Sequence, residues 1–188
     1  MNVYDFDKTI YRDDSSMDFY KFNLKKDPLI LLHVFSQGLA FIAYSLHLIP
    51  KTKMKTIFYR YFRRIKNMDQ RVEEFWKLHE HKLMEYYQLQ KHSSDVIISA
   101  SPEFMLKPIC DKLGVTLIAS RVNPKTGVSQ ANCYGEEKVK RFRELYPDAQ
   151  VHSFYSDSLS DTPLASLHKK VSWLHQKGFI LGRKAEDF

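Results

Sequence analysis

Apolar residues in this chain fall into two patterns. Short unbroken runs stop at polar residues and predict buried strands. They are Val3-Tyr4, ending at Asp5; Val96-Ile97-Ile98, ending at Ser99; and Val151 to Tyr155, ending before Ser156-Asp157. Val115 to Ala119 and Val171 to Leu174 are weaker candidates. Such runs suit a parallel sheet covered on both faces. Helical signals lie between them. Ser101-Pro102-Glu103 offers a capping hydroxyl, a first-turn proline and an acid for the positive end of the dipole. That predicted helix runs to about Leu113 and stops at Gly114. Another begins near Gly135, carries Lys138 and ends before Pro147. A short one starts around Asp161-Thr162-Pro163. Alternating strand and helix predicts an α/β fold with an open sheet.

Residues 15–90 break this alternation. They read as helix after helix, with Pro28, Gly38 and Pro50 as punctuation. The predicted organisation is a core of residues 1–14 and 91–188, with a helical domain of residues 15–90 inserted after the first strand. Asn123-Pro124-Lys125-Thr126-Gly127 reads as a turn, the tip of a hairpin.

Charge sharpens the picture of the insertion. The net charge is +7, and no Asp or Glu occurs from Pro28 to Met68. That stretch holds Lys51, Lys53, Lys55, Arg60, Arg63, Arg64 and Lys66, which together equal the whole excess. It is either a solvated helix face or a surface for anionic partners. The two cysteines, Cys110 and Cys133, lack metal-ligand spacing and read as free thiols. Met1 leads straight into an apolar pair and an acidic motif, which predicts no secretory leader and a cytoplasmic protein. Nucleic acid has no supporting motif and is not expected as a partner.

Candidate chemistry collects at the strand ends, where open α/β sheets bind ligands. Asp5 and Asp7 follow the first run, Ser99 the second, and Asp157 and Asp161 the run at 151–155. Lys138 starts a helix that can face the same edge. Carboxylates gathered at one place repel unless a cation neutralises them. Mg²⁺, a hard ion with oxygen ligands, suits them.

Four segments, in order, carry a resemblance: Asp5-Phe6-Asp7-Lys8-Thr9, Ser99 after Val96-Ile97-Ile98, Lys138 in Gly135-Glu136-Glu137-Lys138, and Asp157-Ser158-Leu159-Ser160-Asp161. They resemble the four motifs of the haloacid dehalogenase (HAD) superfamily. The helical insertion resembles the cap of the phosphoserine-phosphatase-like branch. The resemblance implies a HAD-like Rossmannoid core with a helical, C1-type cap, and Mg²⁺-dependent hydrolysis of a phosphomonoester. It implies Asp5 as nucleophile, forming an aspartyl-phosphate. It implies Asp7 as general acid and base. Ser99, Lys138 and Thr9 would contact phosphate or fix its loop. Asp5, Asp157 and the Asp7 backbone carbonyl would hold Mg²⁺, supported by Asp161. Dehalogenases on this scaffold lack the second carboxylate, so Asp7 favours phosphate chemistry.

The insertion bears on substrate choice. Asp14 either reads a substrate amino group, as an acid at that offset resembles in phosphoserine phosphatases, or caps the first cap helix. Leu29 to Ile49 is a 21-residue stretch without an acid, lysine or arginine, long enough to span a bilayer. Spanning would separate the two halves of the core. The stretch is therefore expected to form buried cap core, a hairpin bent at Gly38, or a helix lying in the membrane interface. An apolar cap segment followed by a basic one resembles bacterial phosphatidylglycerophosphatases of the C type. Residues 29–66 would then contact the inner face of the cell membrane, and a lipid phosphate would be the substrate. A small soluble phosphomonoester of the phosphoserine type is the alternative, and a catalytically silent membrane- or partner-binding module is a third reading.

Overall fold

A computed structural model describes residues 1–167, 171–175 and 178–180. Residues 181–188 of the predicted core lie outside the described residues. Six strands form one sheet in the order β3-β2-β1-β4-β5-β6. They are β1 (Asn2–Tyr4), β2 (Val96–Pro102), β3 (Thr116–Ser120), β4 (Ser153–Ser156), β5 (Val171–His175) and β6 (Gly178–Ile180). The first five run parallel, and β6 is antiparallel to β5.

Alternate side chains explain why such short runs hold a sheet. Val3, Val96, Ile98, Ile118 and Phe154 point to one buried cluster, with Phe142 and Leu164. Tyr4 and Ile97 point to the other, with Met105 and Leu106. The period of two feeds both faces. Helices cover those faces: α6 (Glu103–Leu113), α7 (Glu136–Leu145) and α8 (Thr162–Ala165). Gly114 closes α6 in the left-handed conformation, as expected.

Between β1 and β2 the described chain forms helices and 3-10 turns. The helices are α1 (Ser15–Lys26), α2 (Val34–Ser45), α3 (Lys51–Phe58), α4 (Met68–His79) and α5 (Glu85–Gln90). Their core is aromatic: Phe19, Phe22, Tyr61, Phe62, Phe75 and Trp76 belong to the same cluster as Tyr4 and Phe6. The Trp76 indole N–H donates to the Met105 carbonyl at 2.7 Å, fastening α4 to α6. The insertion thus shares a core with one face of the sheet.

Three expectations need correction. The helix does not start on a Ser101 cap. β2 stays paired with β3 as far as Pro102, through an irregularity after Ser99, and α6 begins at Glu103. Pairing with β3 overrides the local capping signal. The chain does not bend at Gly38, which sits inside α2. A single glycine costs a helix only about 1 kcal/mol. Reversal comes later, at His47 with φ +58 and at Pro50. Finally, β6 was not anticipated from the apolar runs.

The turn at 123–127 forms as expected: Val122 bridges Ser129, and the Asn123 side chain accepts the Lys125 and Thr126 N–H groups. Gly127 has φ +73, and a Cβ built there would lie 2.2 Å from the Tyr59 carbonyl oxygen. The loop therefore packs backbone to backbone against the cap. Gly127→Ala is expected to cost more than about 1–2 kcal/mol from the left-handed conformation and the forced shift. Thermal denaturation should show a lowered midpoint, and limited proteolysis faster cleavage around Tyr59.

Candidate active site

β1 lies between β2 and β4, so chain connections diverge to either side of it. The carboxyl end of such a strand pair opens a crevice for ligands. Asp5 leaves β1 there, its N–H still bonded to the Tyr155 carbonyl at 2.9 Å. The following turn is tight: Thr9, Ile10 and Tyr11 all donate N–H to the Phe6 carbonyl, and Lys8 takes φ +57. This turn brings Asp7 back beside Asp5. The Asp7 carboxylate accepts the Ser15 N–H at 2.7 Å and the Ser101 hydroxyl at 2.5 Å.

Gly135, with φ +57, lets the chain turn into α7 and places Lys138 in its first turn. The Lys138 ammonium is buried and donates at 2.8 Å to both Asp5 Oδ1 and Asp161 Oδ2. Ser156 donates to the same Asp161 oxygen at 2.8 Å. Residues 133 and 23 positions from Lys138 along the chain thus meet on one nitrogen.

Burial pushes the Asp5 carboxyl up to about 7; Lys138 pulls it back and Asp161 adds to the rise. Burial likewise raises Asp7 to about 6, helped by Asp14 and opposed by Ser101 and Ser15. Burial works against the Lys138 charge, but Asp5 and Asp161 more than offset it and raise its pKa. Asp157 is raised by burial, with Lys8 countering. The physics is that of too much negative charge for one ammonium in a poorly hydrated place.

A cavity of about 840 Å³ opens over this floor, a size suited to a small molecule. Asp5, Asp7, Asp14, Lys138, Asp157 and Asp161 all border it. Ser99 and Thr9 do not. Ser99 is fully buried, and its hydroxyl accepts the Ser101 N–H at 3.1 Å. Thr9 is fully buried too, and its carbonyl accepts the Tyr86 hydroxyl. Its position fits fixing the loop, not touching phosphate. Asp14 caps α1 by accepting the Met17 N–H at 2.9 Å, in keeping with the capping alternative.

Sequence reasoning missed Ser101. Its hydroxyl stands in the cavity wall, bonded to Asp7 and 3.0 Å from Ser16, which in turn lies 3.2 Å from the Tyr59 hydroxyl. This chain of hydroxyls joins the helical insertion to the loop that carries Asp7. It also missed that Lys51 and Lys55, from α3, border the same cavity. Their spacing of four in an acid-free stretch was the one available signal.

The carboxylates do not form a metal cage by themselves. Among the described residues, no three His, Cys, Asp or Glu side chains are grouped closely enough to hold an ion. Lys138 stands between Asp5 and Asp161. The donor set nonetheless fits one hard cation. Asp161 Oδ1 is buried with no hydrogen-bond partner, the Lys138 ammonium is shared by Asp5 and Asp161, and Asp7 and Asp157 border the same cavity.

A profile of haloacid dehalogenase-like hydrolases matches residues 3–166, and the chain belongs to that family. It is 32% identical over 85 residues to Protein CicA of Caulobacter vibrioides, a match taking in 41% of this chain and 38% of that protein. The match therefore spans well under half the length of the relative. Solved structures share the fold. A Bordetella pertussis Tohama I protein of unknown function superposes with TM-score 0.71 at 19% identity, over 87% of this chain and 84% of that one. A phosphoserine phosphohydrolase-like protein from Francisella tularensis subsp. tularensis SCHU S4 gives TM-score 0.57 at 15% identity, over 91% and 86%.

Proposed function

We propose that the protein is a phosphatase that hydrolyses a phosphomonoester by attack of Asp5 on phosphorus. The observation that carries this reading is the Lys138 ammonium bonded to both Asp5 and Asp161 at the cavity floor, with Asp7 beside them. An Asp5 oxygen forms the new bond to phosphorus while the ester P–O bond breaks, leaving an aspartyl-phosphate. Asp7, oriented by Ser15 and Ser101, gives its proton to the departing alkoxide. It then takes a proton from the water that attacks phosphorus and frees Asp5. Lys138 neutralises charge on the transferring group. Ser101, whose hydroxyl is bonded to Asp7 and whose N–H is bonded to Ser99, holds Asp7 in place beside the phosphate.

Mg²⁺ would be held by Asp5, Asp157 and the Asp7 backbone carbonyl, with Asp161 supporting. When bound it supplies charge neutralisation between the carboxylates and phosphate oxygens.

For the leaving group we favour an amphiphile, a lipid phosphate, over a soluble ester. Val34, Phe41, Met54 and Phe58 form an apolar side of the cavity. That side continues into exposed apolar residues, including Leu32 (74%), Phe35 (79%) and Leu48 (72%). The segment Pro28–Ser45 has mean hydropathy 1.4 and is only 11% buried. By length and composition alone it is apolar enough to cross a membrane. β1 before it and β2 after it pair with each other, so both ends lie on one side. An interfacial seat fits, with the exposed Lys25 and Lys53 flanking it for anionic head groups. Asp14 is engaged as a helix cap, which weighs against its reading a substrate amino group.

The test measures phosphate release from mixed micelles of a lipid phosphomonoester and from phosphoserine, with Mg²⁺ and with chelator. Turnover should require Mg²⁺ and favour the micelles by at least about tenfold in kcat/KM, the order that burying one or two more methylenes gives. Chelator-resistant turnover removes the metal from the account. Equal or faster turnover of phosphoserine removes the lipid.

A further inference from the structure

Two lysines of the cap face the cavity without a carboxylate partner. Lys51 and Lys55 are four apart on α3, so they share a helix face. Both are half-buried, whereas Lys53, on the opposite face, is exposed. The Lys55 ammonium donates to the Ala100 carbonyl at 2.6 Å and to Asn132 Oδ1 at 2.9 Å, both neutral acceptors. The Lys51 ammonium sits 3.2 Å from the centroid of the Tyr134 ring. Among the described residues no carboxylate lies within 4.0 Å of either nitrogen, whereas Lys138 and Lys82 each have two and Arg64 has one.

The cost of this arrangement is visible. Like charges four apart destabilise a helix, and half-burial strips water from both. Burial, and then Lys51, push Lys55 down to about 8. Each ammonium has three donors, and Lys55 has spent two. Beside it, Asn132 is buried; its Oδ1 also accepts from Ser120, while its Nδ2 has no acceptor. Two ammoniums at this wall therefore meet only neutral partners. At the floor, across the same cavity, carboxylates outnumber cations. The surplus at the floor would be neutralised by Mg²⁺, which leaves room for a phosphate over Asp5 and Lys138, whereas the two wall ammoniums call for a second oxyanion on the same ligand.

We propose that Lys51 and Lys55 form a second anion-recognition point. The substrate is then a phosphomonoester that carries a further anionic group, a phosphate or phosphodiester or a carboxylate. This rests on the phosphatase reading and narrows its substrate class. Lys51 and Lys55 are specificity residues on this account, separate from the groups that act on the scissile bond.

Inert probes test this without relying on turnover. Calorimetry should compare a short alkane monophosphonate with the matching bisphosphonate and phosphonocarboxylate, on the Mg²⁺-loaded protein, for wild type, Lys51→Met and Lys55→Met. The wild type should bind one of the doubly anionic probes at least about tenfold more tightly than the monophosphonate, the order expected of charge-assisted hydrogen bonds. Which probe gains identifies the second group as phosphate-like or carboxylate. Each substitution should collapse that ratio to within about threefold. The Lys51 ammonium lies over the Tyr134 ring, so its variant keeps the test open if loss of the Lys55 bonds to Ala100 and Asn132 impairs folding. Equal binding of all three probes by the wild type overturns the proposal. So does a ratio that survives in a folded variant. Failure of hydrolysis with the ratio intact would instead count against the phosphatase reading alone.

Discussion

Asp5→Asn should abolish turnover while leaving the fold in place. The amide has the same size and can still stand beside Lys138, whose ammonium keeps its bond to Asp161. It cannot attack phosphorus. Loss of a covalent nucleophile in a site whose other members act with it should lower kcat by about 10⁴-fold or more. The check is steady-state release of phosphate under Mg²⁺, with thermal denaturation run in parallel. The denaturation midpoint should stay within a few degrees, because one buried negative charge is lost from a site with a surplus of them. A variant retaining a tenth of the activity would show that Asp5 is a metal or phosphate ligand, with the attack coming from elsewhere.

Lys138→Met should damage both stability and activity. Lys138 is buried, and its nitrogen is the shared partner of Asp5 and Asp161. Methionine fills similar volume but leaves two buried carboxylates facing each other. Breaking a buried ion pair by removing one member costs about 3–5 kcal/mol. Part of that cost is recovered if Asp5 takes up a proton, its carboxyl being raised already. Urea denaturation should therefore show a loss of a few kcal/mol, unlike Asp5→Asn. Activity should fall by about 10²–10³-fold or more, through lost stabilisation of the transferring group. Unchanged stability would mean that the carboxylates find another counter-charge.

These contrasts show which parts of the molecule the chain announces locally. Val3-Tyr4, Val96 to Ile98 and Val151 to Tyr155 are legible because a strand covered on both faces needs no polar side. Asp5, Asp7, Lys138, Asp157 and Asp161 are legible because strand ends and helix starts give them a common address. Ser101 was misread for a physical reason. Ser-Pro-Glu is a sound local cap signal, but pairing with β3 holds the backbone extended to Pro102, and the hydroxyl goes to Asp7, 94 residues away. Gly38 was misread because glycine permits a bend without requiring one. Lys51 and Lys55 read as part of a basic surface, since periodicity names a shared face but not what it faces. The loop carrying Asn132 and Tyr134 decides that, and nothing near Lys55 in the chain refers to it. The apolar stretch was legible as unusual. Its exposure depends on α2 and α3 packing on each other and leaving the outer side of α2 uncovered.

The central claim is that phosphorus passes through Asp5. Acid quench during turnover, followed by borohydride reduction, converts an aspartyl-phosphate to homoserine, and peptide mass spectrometry locates it. The account predicts homoserine at position 5, only in samples given substrate and Mg²⁺, and none in Asp5→Asn. Turnover at full rate with unmodified Asp5, or homoserine at position 7 or 157 instead, would contradict it.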